Sequence, residues 1–99
     1  MGFRKVIVKK TAAENIAAIA WFVESKGLVV TAEKFVDEAY DFFINISHSI
    51  KSYKVCRDPK RSLLGYKCLA YKKKYTIVFI ESLNEIIICE FISSKAIYW

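Results

Sequence analysis

YTIVFIESLNEIIICEFI, residues Tyr75–Ile92, decides the fold. Tyr75-Thr-Ile-Val-Phe-Ile-Glu81 is β-branched and aromatic, a composition that fits a pleated, half-buried surface. Ser82-Leu83-Asn84-Glu85 reads as a hairpin turn, and Ile86-Ile-Ile-Cys-Glu-Phe-Ile92 as the returning strand. Just upstream, Tyr66-Lys-Cys-Leu-Ala-Tyr71 alternates loosely and predicts one more strand. Tyr53–Cys56 adds a short strand ahead of the single proline, Pro59.

What covers this sheet comes from the first half of the chain. Phe3–Lys9 has a β-branched run, Val6-Ile7-Val8, between charges and predicts an opening strand. Thr11-Ala-Ala-Glu14 has the form of a capping box, and AAENIAAIAWFVESK after it is helical. Ile16, Ile19, Ala20 and Val23 recur at i, i+3, i+4 and i+7, which gives one buried face. Trp21 and Phe22 widen the apolar sector, so this helix packs on two sides or shows aromatic surface to a partner. Gly27 ends it in a left-handed conformation.

A second helix starts with Thr31 as N-cap and Glu33 near its positive end. Phe35, Ala39, Phe42, Phe43 and Ile46 supply its buried face, flanked by Val36 and Tyr40, with Asp37, Glu38 and Asp41 opposite. It should end near Asn45–Ser49, where helix-weak residues cluster. A link of about four residues makes the two helices an antiparallel hairpin. The expected order is β-α-α-β-β-β: an α+β fold with a helical hairpin on a mostly antiparallel sheet, one domain over residues 1–99.

Charge is lopsided. Residues 1–50 carry six Lys/Arg and six Asp/Glu, whereas residues 51–99 carry ten and four, so the whole net charge of +6 lies in the second half. Within it, KSYKVCRDPKRSLLGYKCLAYKKK (Lys51–Lys74) holds nine basic residues against one acid, Asp58, with Tyr53, Cys56, Tyr66 and Cys68 interleaved. An ordinary basic sheet edge that blocks strand pairing would look similar. So strong a sign also suits phosphate or an acidic protein partner.

The three cysteines, Cys56, Cys68 and Cys89, form no C-x-x-C pair, and there is one histidine. That argues against a zinc site and a disulfide framework and predicts three small buried hydrophobes in a reducing cytosol. No apolar run reaches the ~18 residues of a membrane span, and no secretory signal precedes the first helix, so a cytoplasmic protein without membrane contact is expected. Three glycines build no phosphate loop, and no cofactor or metal is implied. His48 has no partner in sequence, and Glu81, Glu85 and Glu90 read as solvent-facing strand residues. Glu90, between Cys89 and Phe91, is the one acid retained as a candidate general base. What remains is a cationic site of Lys54, Arg57, Arg61 and Lys67, with tyrosine faces on which bases can stack. Such a site could hold a phosphate or stabilise charge developing on one being cleaved.

The order of elements, with VIVKKTAAENIAAIAWFVESKG, TAEKFVDEAYDFF and LLGYKCLAYKKKYTIVFIESLNEIIICEFI, resembles the RelE/ParE toxin superfamily of plasmid-stabilisation systems over nearly the whole chain. The resemblance implies a type II toxin with a cognate acidic antitoxin, and a homodimer is left open. RelE-branch toxins cut mRNA on the ribosome, by attack of a ribose 2′-hydroxyl on its own phosphate. By that resemblance Lys54, Arg57, Arg61, Lys67 and a terminal Tyr98 are the catalytic candidates. Lys51, Tyr53, Lys60, Tyr66, Lys72, Lys73 and Lys74 are candidates for nucleic-acid binding. The chain departs from the pattern in two places. Ile92-Ser93-Ser94-Lys95 stands where many members have a histidine, and Lys67 stands where a planar arginine fork is usual. The ParE branch, which lacks the nuclease residues and acts on DNA gyrase, is the alternative, with the helical hairpin and Trp21 as the contact. A member that only binds nucleic acid or antitoxin is the third reading.

Overall fold

The computed structural model describes residues 4–48 and 53–96. Its elements are β1 (Lys5–Val8), α1 (Lys10–Glu24), α2 (Val29–His48), α3 (Pro59–Leu63), β2 (Lys67–Tyr71), β3 (Tyr75–Glu81), β4 (Glu85–Ser93) and a closing 3-10 turn, Ser94–Ala96. The sheet order is β1-β4-β3-β2. β1 runs parallel to β4, and the other pairs are antiparallel. The architecture is α+β, with a helical hairpin on one face of a mixed sheet, as the sequence predicts.

Period-2 alternation sorts the side chains of this sheet. Ile77, Phe79, Ile86, Ile88, Phe91 and Tyr71 join Ala12 and Ile16 of α1 and Ala39, Phe43 and Ile46 of α2 in the main core. The phenylalanines Phe43, Phe79 and Phe91 are at most 1% exposed, and burying each contributes roughly 1.5–3 kcal/mol. The interleaved residues Val78, Ile80, Ile87, Cys89 and Ile92 form a second cluster with Cys56, Cys68 and Tyr66. β3 is therefore buried on both faces, which explains its near-continuous apolar composition.

The pleat is interrupted once. Val78 pairs with Glu90 but Phe79 pairs with Ile88, so Cys89 is the extra residue of a β-bulge. Strict alternation from Ile88 would aim Glu90 at the helices. The bulge instead places Glu90 on the side of Val78 and returns Phe91 to the main core.

Several local expectations are corrected. Thr11 caps nothing: α1 begins at Lys10, its N-cap is Lys9, and no side chain bonds the cap. The helix starts early because the Ala13 N–H already reaches the Lys9 carbonyl at 3.0 Å. Thr31 likewise lies inside α2, which starts at Val29; the Ala32 N–H donates to the Leu28 carbonyl at 2.9 Å, and no acid sits in the first turn. Tyr53–Cys56 forms no strand but a single bridge, Val55 to Lys67. Gly27 does adopt the left-handed conformation, φ +84°. Of the two arrangements expected for Trp21 and Phe22, the structure has the one with aromatic surface outward: they are 69% and 56% exposed.

Candidate phosphate-binding loop on the open sheet face

The segment 56–66 lies over the sheet face away from the helices. The sequence builds it locally. Asp58 caps α3 by accepting from the Lys60 N–H at 3.2 Å, and Pro59 occupies the first turn, where a missing N–H costs nothing. Gly65, φ +76°, closes it: the Tyr66 N–H donates to the Arg61 carbonyl at 3.0 Å and the Gly65 N–H to the Ser62 carbonyl at 2.9 Å, a Schellman ending. Asp-Pro at one end and Gly at the other signal this five-residue helix, which the strand-oriented reading missed.

Three devices fix the loop to the sheet. The Cys56 N–H donates to the Tyr66 carbonyl at 2.9 Å and the Cys68 N–H to the Lys54 carbonyl at 3.4 Å, which ties residues 54–56 to the edge of β2. Cys56 and Cys68 form a disulfide across a Cα–Cα distance of 4.8 Å. This overturns the expectation of three unpaired cysteines: residues 12 apart become diagonal neighbours once the two segments bridge. Cys89 is free and buried, and burial pushes its thiol up from the ordinary value.

The third device is a charged clamp. Arg61 Nε donates to Glu90 Oε2 at 3.0 Å and Nη2 to Glu90 Oε1 at 2.7 Å, a two-pronged pair; Nη1 donates to Asp58 Oδ2. The Glu90 hydrogen bond first, then Asp58, raise the guanidinium above its ordinary value against the opposing effect of burial. Glu90, the candidate general base, thus gives both oxygens to Arg61 and orients the loop. The bulge in β4 makes this contact, because only the shifted phase turns Glu90 toward α3.

The predicted site residues therefore separate. Lys54, Arg57 and Lys60 are exposed on this loop and make no ion pair among the described residues. Tyr66 packs half-buried into the second cluster beside them. Lys67 pairs with Phe79, a residue of the helix-side core, and so belongs to the opposite face from Lys54. Tyr53 is no stacking platform: its ring meets Phe79 edge-on at 5.5 Å. Lys72 bonds Glu38 of α2 at 2.5 Å and lies 5.6 Å from the Tyr71 ring centre. Lys73 and Lys74 are exposed at the far end of β2. Lys51 and Tyr98 lie outside the described residues.

The acids are also reassigned. Glu81 is not a solvent-facing residue: it pairs with Arg4 at 2.9 Å, its side chain 11% exposed. His48 is exposed at the end of α2. Among the described residues no group of three or more His, Cys, Asp or Glu could hold a metal ion. No described helix is long and apolar enough to cross a membrane.

The arrangement can do one thing chemically without further groups. It presents three exposed cations, Lys54, Arg57 and Lys60, on a segment whose backbone is tied to the sheet, which suits a phosphodiester. A search of protein-family models finds none that matches the chain, and a search of curated proteins finds no match.

Proposed function

We propose that this chain is a RelE/ParE-like toxin of a type II toxin–antitoxin pair that binds RNA through the α3 loop and cleaves mRNA on the ribosome. The observation that carries this reading is the loop itself: Lys54, Arg57 and Lys60 exposed and without ion-pair partners on a segment held to the sheet by a disulfide, two backbone bonds and the Arg61–Glu90 pair. A backbone held in place keeps these cations close to where charge would develop on a bound phosphate. In the proposed reaction a ribose 2′-hydroxyl attacks its adjacent phosphate. The P–O bond to the 5′-oxygen of the next nucleotide breaks, and Lys54 and Arg57 balance the added charge. Arg61 acts as a positioning residue rather than a phosphate ligand, and Tyr98 stays the proposed proton handler. An acidic antitoxin would cover the same basic face.

The reading places the chain in the cytoplasm. There thiol buffers favour the open dithiol of Cys56 and Cys68, which leaves the clamp and the backbone bonds to hold the loop. A second reading, inhibition of a protein such as DNA gyrase, is favoured by the exposed Trp21, Phe22 and Val30 of the helical hairpin, Val30 being 77% exposed.

The test is induced expression in a bacterial host with mapping of mRNA 5′ ends. New cuts inside translated frames, lost with Lys54→Ala/Arg57→Ala, are the expected result. Growth arrest without cuts would pass the case to the protein-target reading, and Trp21→Ala should then relieve it. Neither arrest nor cuts would leave a binding module.

A further inference from the structure

We infer that the end of the sheet opposite α3 carries a second, separate phosphate subsite, a cleft between the β2–β3 turn and the end of β4 that grips the backbone of the same RNA. Lys73, Lys74, Tyr75, Ser93, Ser94 and Lys95 line this cleft of about 470 Å³. Three lysines and two serines are among its lining residues, and no acid lines it. None of Lys73, Lys74 and Lys95 has an ion-pair partner among the described residues.

The cleft is built rather than incidental. The Ser94 N–H donates to the Lys74 carbonyl at 2.8 Å and pins the turn to the end of β4. Thr76 Oγ1 and Ser94 Oγ share a hydrogen bond of 3.0 Å beneath it. Ser93 Oγ accepts from the Lys95 N–H at 3.2 Å, so its own proton is available to a ligand. Three residues, 72–74, join β2 to β3, and the first two take the left-handed conformation usually left to Asn or Gly, yet lysines occupy it: Lys72 at φ +51° and Lys73 at φ +65°. Lys72 is held by Glu38. That anchors the strained turn and leaves Lys73 at the cleft. A backbone conformation that disfavours lysine, kept in place by an ion pair, points to a use for the cations it presents.

β2 has five residues, so the cleft and the Lys54 end of the edge lie roughly 17 Å apart at about 3.4 Å per residue. A single strand that touches both is held at two phosphates along one sheet edge. The inference rests on the RNA reading and adds to it the path of the strand.

The experiment measures binding of a fluorescein-labelled 12-nucleotide single-stranded RNA by anisotropy across a salt series. Wild type, Lys73→Gln/Lys95→Gln and Lys54→Gln/Arg57→Gln are compared, with circular dichroism to check the fold. Each pair should lower the slope of log affinity against log salt by about 1.4, at about 0.7 per lost single-strand phosphate contact. An unchanged slope for the cleft pair, with a fall for the loop pair, overturns this inference and leaves the RNA reading standing. A fall for the cleft pair alone supports the cleft and removes the loop. No RNA binding by the wild type overturns both.

Discussion

Removing the disulfide tests how the loop is held. Cys56→Ser/Cys68→Ser deletes a cross-link spanning 12 residues of sequence. Chain-entropy arithmetic for a ring of that size gives about 3 kcal/mol, all of it acting on the unfolded chain. The Arg61–Glu90 pair and the bridge at Val55 exist with or without the sulfur bond, so they cancel from the comparison. For 99 residues, an unfolding entropy of about 2.1 cal/mol/K per residue turns 3 kcal/mol into a fall in Tm of roughly 14 °C. The assay is thermal and guanidinium unfolding of the oxidised wild type, the reduced wild type and the double variant. The last two should coincide and lie below the first. A difference under about 0.5 kcal/mol would refute the reasoning, since a bond closing that ring must restrict the unfolded chain. Hydrogen exchange at the Cys56 and Cys68 amides, which bond Tyr66 and Lys54, separates global from local loss: faster exchange with unchanged Tm would mean that the loop lifts off alone.

Arg61→Met leaves Glu90 and Asp58, 24% and 16% exposed in their side chains, facing one another without a cation. Chemical denaturation should show a loss of about 1–3 kcal/mol, with Glu90→Gln losing less because one acceptor survives. Among the described residues Tyr71 Oη is buried without a hydrogen-bond partner, so Tyr71→Phe should be neutral or stabilising by up to about 1 kcal/mol, read from the same curves; a loss above 1 kcal/mol would reveal a bond to that hydroxyl. Glu38 is held below its ordinary 4.5 by its bond to Lys72, and Lys72 is held above its ordinary 10.5 by Glu38. Their mutual stabilisation is therefore full between those values. It is lost as pH falls from 4.5 through the lowered Glu38 value, and again as pH rises from 10.5 through the raised Lys72 value. The Tm gap between wild type and Lys72→Met should follow that window. Gly27→Ala, at φ +84° with no atom within 4 Å of a new Cβ, should cost roughly 1–2 kcal/mol in unfolding free energy through backbone strain alone.

The fold was legible because its signals are local. The β-branched and aromatic run Tyr75–Glu81, the i, i+4 spacing of α1 and the glycine at 27 each act within a few residues. The helix starts were misread for a related reason. Thr11 and Thr31 have the right chemistry for caps, but the hydrogen-bonded turns begin before them at Lys9 and Leu28, where no side chain marks the start. α3 is marked only by Asp58-Pro59 and Gly65, because five residues are too few to show an apolar helical period.

The site was less legible because its partners are remote. Arg61 meets Glu90 at a separation of 29 residues, Lys72 meets Glu38 at 34 and Arg4 meets Glu81 at 77. The phase break in Ile88-Cys89-Glu90-Phe91 is visible as two apolar core positions three residues apart in a strand, and that is the one sequence signal that Glu90 leaves the helix side. Counting charges along Lys51–Lys74 gives the right sign for a partner but the wrong set of available cations. Acids from β4 and α2 neutralise Arg61 and Lys72, and the pleat moves Lys67 to the other face. What the stretch presents is two separate groups: Lys54, Arg57 and Lys60 at one end of β2, Lys73 and Lys74 at the other. A ligand recognised by both must be extended along the sheet edge, and a compact anion would engage only one. That geometric consequence, more than the total charge, favours a polymer with regularly spaced phosphates over a small anionic substrate.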